Sequence, residues 1–161
     1  MNKSVKNHFI MLIQWGLFSL FIICSFLKPS KFKSILIPYG YILIIFGFIL
    51  IMESNIAHST INKGIKLKSK PEPNPNAKLV QKGIYKYIRH PIYLGFICIS
   101  FGLSFCIGNI LSIIIALISL IFYYLKSIYE DKLLISTYNE YLDYSENVGR
   151  FLPRLKTIVK S

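Results

Sequence analysis

Long apolar stretches alternate with short basic ones along this chain. Phe9 to Leu27 is a 19-residue apolar run interrupted by Gln14, about the length a helix needs to cross a bilayer. A basic turn, Lys28-Pro29-Ser30-Lys31-Phe32-Lys33, leads to a second run from Ile35 to Met52, with Glu53 directly after it and Ser54 to Ile61 able to prolong the helix. Pro38 falls in the first turn of that run, where a missing amide hydrogen is tolerated. Asn62 to Lys82 is polar, and its centre, Lys70-Pro71-Glu72-Pro73-Asn74-Pro75-Asn76, excludes regular structure. Pro91 to Ile107 and Ile110 to Leu125 are two further apolar runs, joined by Gly108-Asn109. So short a link predicts an antiparallel helical hairpin. Lys126 to Tyr144 keeps helix-compatible spacing, and Leu134, Tyr138, Tyr141 and Leu142 can share one face. A helix leaving the membrane and folding back over the headgroups is therefore expected. The predicted fold class is an all-α integral membrane protein. It has about four transmembrane helices (9–27, 35–57, 91–107 and 110–128), then a C-terminal amphipathic cytoplasmic helix and tail, in one domain over 1–161.

Composition sharpens this picture. Hydrophobic residues make up 53% of the chain and charged residues only 16%, the balance of a membrane protein rather than a soluble domain. Lys3 and Lys6 before the first run admit a signal peptide, but the apolar part is longer than an h-region and no small-residue cleavage pattern follows. The net charge of +12 raises nucleic acid as a partner. No nucleic-acid module is visible, and the lysines flank apolar runs, so anionic membrane lipids are the simpler partner. With four spans, sixteen Lys and Arg residues fall on the side of both termini and the central loop, against three in the Lys28–Lys33 turn. The positive-inside rule then puts both termini in the cytoplasm, in the cell membrane. Cys24, Cys98 and Cys106 lie within apolar runs without metal-ligand or CxxC spacing. They read as small apolar fillers, with no disulfide and no metal site. No obligate protein partner is indicated.

The chemistry concentrates where the basic loop meets the third span, at Gly83-Ile84-Tyr85-Lys86-Tyr87-Ile88-Arg89-His90-Pro91-Ile92-Tyr93-Leu94-Gly95. Pro91 suits the first turn of a helix. Arg89 and His90 then flank a helix N-terminus, whose free amides and dipole favour an anion such as a carboxylate or phosphate. Headgroup snorkelling accounts for the same residues. The hairpin returns the end of the fourth span beside the start of the third, so Glu130 should lie near Arg89 and His90.

The segment Gly83-x-Tyr85-x-x-x-Arg89-His90-Pro91-x-Tyr93-x-Gly95 resembles a signature of the isoprenylcysteine carboxyl methyltransferases and their bacterial and archaeal relatives. The later stretch resembles that family's second signature. It reads Glu130-Asp131-x-x-Leu134, then Tyr138, Tyr141-x-x-Tyr144 and Val148-x-Arg150-Phe151-Leu152-Pro153. The resemblance spans about residues 78–153. Phospholipid N-methyltransferases are similar at either signature alone. Here Asp131 stands where a second glutamate is usual, and Lys126 where some members carry an arginine. The resemblance implies S-adenosylmethionine as methyl donor, leaving as S-adenosylhomocysteine, with Tyr85, Arg89, His90, Tyr93 and Glu130 carried over as cofactor contacts. Arg89, His90 and the helix N-terminus suit the donor's carboxylate. Glu130 suits its ammonium or ribose. Tyr93, Leu134 or Leu152 is expected to line an apolar adenine slot, and Leu94 is a further expected cofactor contact.

The expected reaction is methyl transfer to a lipid or lipidated small acceptor. An isoprenylcysteine-type carboxylate would be positioned by Arg89 or Arg150. The alternative, ethanolamine phospholipid N-methylation, would need His90 or Glu130 as base. A non-enzymatic membrane scaffold or transporter subunit is the third reading, though no charge lies mid-span, where transport sites usually show one. Several residues also have plainer explanations. Tyr85 and Tyr87 suit interface aromatics. Gly95, Cys98, Gly102 and Cys106 suit close helix packing. Glu130 and Asp131 suit a solvated helix end, and Arg150 a tail anchor.

Overall fold

The structure, a computed structural model, describes residues 3–27, 33–63 and 76–154. It is all-helical: α1 Lys3–Ser25, α2 Lys33–Ile61, a single 3-10 turn Gly83–Lys86, α3 Pro91–Ile107, α4 Ile110–Thr137 and α5 Tyr141–Asn147. Among the described residues the extended pairing is one isolated parallel bridge, Ile88 with Gly149. Most of the basic turn after α1 and of the proline-rich loop centre falls outside the described residues. Three helices, α1, α2 and α4, are long and apolar enough to cross a membrane, while α3 is apolar but has 17 residues. Large side chains such as Leu12, Trp15, Ile45 and Phe48 stay exposed on the outer faces, as lipid-facing positions do. The protein is an integral membrane protein.

α3 touches α1, α2 and α4, and small residues set how closely. A Cβ built on Gly95 would lie 2.7 Å from the Gly47 carbonyl oxygen, and one on Gly102 2.7 Å from that of Gly40. The glycines repeat at seven residues on both helices, so α2 and α3 meet backbone to backbone at two levels. On the other side, Ser100, Ser104, Ser112, Ser119 and Ser127 are fully buried. Their hydroxyls bond to carbonyls one turn back, and Ser112 Oγ also reaches across to Ser104 O at 3.1 Å. Gly108 ends α3 in the left-handed conformation (φ 71°), which glycine adopts without a Cβ clash. Asn109 caps α4 by accepting from Ser112 N at 2.9 Å. These two residues make the expected antiparallel hairpin.

α1 lies along α4 through Leu17, Phe21 and Cys24 against Ile115 and Ala116. Asn109 Nδ2 donates to Cys24 O at one end, and Lys126 Nζ to Gln14 Oε1 nearer the other, so the two helices run antiparallel. α4 has 28 residues, about 42 Å of helix against a hydrocarbon core of about 30 Å. The helix is therefore longer than the core is thick, and its charged residues Glu130 and Asp131 fall near its C-terminal end. Rather than continuing, the helix stops at Tyr138, whose backbone is extended. This break resets the helical phase, so the face expected to join Leu134, Tyr138, Tyr141 and Leu142 is divided: Tyr141 is buried while Leu142 is exposed. Tyrosine hydroxyls hold α5 down. Tyr144 donates to Tyr85 O at 2.6 Å, and Tyr141 donates to Asp131.

Candidate active site

The N-terminus of α3, the end of α4 and the tail after α5 meet at one point. The tail crosses beneath α3 because Arg89 N donates to Gly149 O (2.9 Å) and His90 N to Arg150 O (3.1 Å). Gly149 permits this turn, since a Cβ there would collide with the carbonyl of Leu152. His90 is the residue preceding α3, and its side chain does not cap the helix. Pro91 removes one amide hydrogen, and the helix mouth carries positive dipole character.

His90 is buried, with Asp131 Oδ1 2.7 Å from Nε2 and Glu130 Oε2 3.4 Å from Nδ1. Its ring stacks on Tyr93 at 5.5 Å with an interplanar angle of 3°. Burial alone would lower the imidazole pKa, but hydrogen bonding and charge from both carboxylates more than offset it and hold the pKa above the usual value. Carboxylates facing both ring nitrogens favour the protonated imidazole, which makes His90 a poor candidate for a base.

Asp131 is the hub of the site. Besides His90 it takes Arg150 Nη2 at 2.8 Å, Arg89 Nη2 at 3.4 Å and the Tyr141 hydroxyl. Burial and the Asp131 charge push the Tyr141 phenol well above its ordinary pKa, so it stays a donor. Arg89 is engaged further: Nη1 donates to the carbonyls of Ser145 and Val148, and Nε is buried without a hydrogen-bond partner among the described residues. Arg150 donates to Ser127 Oγ at 2.6 Å and lies over the Tyr124 ring at 5.4 Å.

Exposure separates these groups. The side chains of Arg89 and His90 are 8% and 4% accessible, whereas Glu130 and Arg150 are each 25% accessible. A ligand at this mouth would first meet one carboxylate and one guanidinium. Tyr93 and Tyr85 both lie close enough to Glu130 to feel its charge. Tyr85 turns toward Ser54 of α2, and burial, then the Glu130 charge, raise its pKa. Phe151 stands edge-on to His90 at 6.5 Å. Leu94 is half-buried in α3, Leu134 packs on the Tyr141, Tyr144 and Val148 cluster, and Leu152 is exposed. Thus Tyr85, Arg89, His90, Tyr93, Glu130 and Arg150 converge, while Leu134 and Leu152 stand apart from that centre. Sequence reasoning put Asp131 and Tyr141 in the second signature but named neither as a site residue. The signal for Asp131 was its place beside Glu130, facing two cations.

An all-helical, multi-pass membrane fold with a charged site at the open end of its α3–α4 hairpin defines the class. The phospholipid methyltransferase family model matches residues 35–141, more than half of the chain. This protein belongs to the phospholipid methyltransferase family. The protein-S-isoprenylcysteine O-methyltransferase of Saccharomyces cerevisiae is 30% identical over 133 residues, covering 81% of this chain and 53% of that protein. The solved structure of a eukaryotic intramembrane Ras methyltransferase, an isoprenylcysteine carboxyl methyltransferase, superposes with a TM-score of 0.65 at 24% identity. It covers 97% of this chain and 55% of that one, and the likeness shows the fold. The chain spans about half the length of these relatives.

The residues present fit a zwitterionic methyl donor. Glu130 offers an acceptor to an ammonium or ribose hydroxyls. Arg150 offers a cation to a carboxylate, and the free Nε of Arg89 a further donor.

Proposed function

We propose that this protein is an S-adenosylmethionine-dependent methyltransferase that acts on a carboxylate borne by a lipid, of the isoprenylcysteine type. The observation that carries the reading is the convergence of two distant motifs on one membrane-edge site. His90 lies between Glu130 and Asp131, with Arg150 brought in by the tail. Family membership and the two isoprenylcysteine-directed relatives support it.

When bound, S-adenosylmethionine supplies a methyl group on a sulfonium sulfur, which keeps the bonding pair as the acceptor oxygen takes the methyl. The chain's own part is alignment and exclusion of water. Glu130 holds the ammonium or ribose, while Arg150 and Arg89 face the carboxylate. Tyr93 and Phe151, both packed against the His90 ring, wall the site. Asp131 fixes His90, Arg89 and Arg150 in one geometry. A carboxylate acceptor is ionised at neutral pH and asks no proton transfer of the protein. The site faces the cytoplasm of the cell membrane, on the lysine-rich side.

The family description favours a second reading, ethanolamine phospholipid N-methylation. There the amine must lose a proton, and Glu130, the more accessible carboxylate, is the base. The pH–rate profile decides between them. A carboxylate acceptor gives a rate flat from about pH 6 to 9, well above its own titration. A rate climbing steadily through that range would favour the amine. Absence of S-adenosylhomocysteine binding by calorimetry would overturn both.

A further inference from the structure

One strip of buried polar side chains lies outside the site described so far. Lys126, on α4 one turn before Glu130, is 5% exposed. Its ammonium has three hydrogens. One goes to Gln14 Oε1 at 2.8 Å, and the Tyr93 ring lies beneath it, its centroid at 4.9 Å. Among the described residues no carboxylate stands within ion-pair distance of Lys126. A buried cation so incompletely neutralised is costly unless a ligand completes it. Asn7, two turns before Gln14 on the same face of α1, is 1% exposed, and neither its Nδ2 nor its Oδ1 has a hydrogen-bond partner among the described residues. Two polar residues on one face of α1 are thus buried, Gln14 against this ammonium and Asn7 two turns away along the helix, and the same helix turns Leu12 and Trp15 outward. The helix lies before the stretch matched by the family model.

We propose that Lys126, held by Gln14, is the anion-binding subsite for the acceptor, and that Asn7 pairs with the polar part of the same head group. The proposal rests on the methyltransferase reading for its choice of ligand. Tyr93 is the link: its ring is parallel to that of His90 at 5.5 Å and also has the Lys126 ammonium 4.9 Å from its centroid. An anion on Lys126 therefore lies beside the ring that borders the donor site. Lys126 is one helical turn deeper than Glu130, about 6 Å along the axis. That depth suits a carboxylate attached directly to an apolar chain better than a phosphodiester at headgroup level. Gln14 acts through Lys126 and is a positioning residue.

The test uses the full chain in nanodiscs and two probes, an S-farnesylcysteine acid and its neutral primary amide, measured by competition binding. The wild type is expected to prefer the acid by tenfold or more. Lys126→Met should abolish that preference, Lys126→Arg should keep it, and Gln14→Leu should reduce it several-fold. S-adenosylhomocysteine affinity should change less than twofold in all three. Equal binding of acid and amide by the wild type overturns the subsite without depending on any variant. So does competition by ethanolamine phospholipid as strong as that by the acid, or a donor affinity that falls in step with the acid preference. Acid preference in a wild type that does not bind S-adenosylhomocysteine would retire the methyltransferase reading and leave the anion subsite standing.

Discussion

Neighbouring carboxylates on α4 should respond to amide substitution in opposite ways. Asp131→Asn preserves shape but removes the charge that His90 and Arg150 meet at 2.7 and 2.8 Å. A hydrogen bond to a charged group contributes about 1.5–3 kcal/mol, and bonds sharing one carboxylate do not simply add. The change also leaves Arg89 and His90, with side chains 8% and 4% accessible, without their main counter-charge. Removing one partner of a buried pair costs about 3–5 kcal/mol, and that range is expected here. For a chain of this length it corresponds to a fall of roughly 6–20 °C in Tm. Glu130→Gln touches a quarter-exposed side chain whose one ion pair is 3.4 Å long, so screening limits the loss to about 1 kcal/mol or less. Its effect should fall on the donor instead, weakening S-adenosylhomocysteine by about 1.5–3 kcal/mol. Thermal unfolding followed by circular dichroism, with calorimetry on the same samples, separates the two. Equal Tm losses, or a Glu130→Gln variant less stable than Asp131→Asn, would refute the division into a structural and a ligand-facing carboxylate.

Three further outcomes are expected. The His90 pKa is raised in the folded state above its usual 6.5, so its stabilising effect is complete below about pH 6.5 and is lost as pH rises through the folded value. Wild-type Tm should decline across that window relative to His90→Gln, and parallel pH profiles for the two proteins would contradict this. Gly95→Ala places a methyl 2.7 Å from the Gly47 carbonyl oxygen and should destabilise by about 1–3 kcal/mol, whereas Gly16→Ala, with open space around it, should be close to neutral in chemical denaturation. Single cysteines introduced in a cysteine-free background at Lys82 and at Ile110 should label from opposite sides of the membrane, with Lys82 cytoplasmic. Labelling of both from one side would refute the hairpin topology.

Much of the fold was legible because membrane insertion makes hydropathy decisive. A two-residue link allows a hairpin and little else, and Pro91 and Gly108-Asn109 mark its ends chemically. How the 17-residue α3 packs was not legible. Gly40 and Gly47 on α2 match Gly102 and Gly95 on α3, a pairing between helices that no single run reveals. The proximity of Glu130 to His90 followed from the hairpin, but the choice of Asp131 as hub did not. Which of two adjacent acids turns inward depends on helical phase, and one residue rotates a side chain by about 100°. Tyr141 was read as part of an amphipathic face because nothing in the pattern announced the break at Tyr138. The Gln14–Lys126 contact joins positions 112 residues apart. The only hint was a polar side chain interrupting an apolar run.

The central claim is methyl transfer from S-adenosylmethionine to a lipid-borne carboxylate, and the bond formed tests it most directly. Purified protein in nanodiscs containing ethanolamine phospholipid would be given methyl-labelled S-adenosylmethionine and an S-farnesylcysteine acid, and the lipid-soluble label then treated with mild alkali. A methyl ester hydrolyses and releases its label as volatile methanol, whereas a methyl group on nitrogen stays with the lipid. The account predicts alkali-labile label on the farnesylcysteine, dependent on Glu130 and Lys126. Alkali-stable label in the phospholipid, or no transfer to either acceptor, would contradict it.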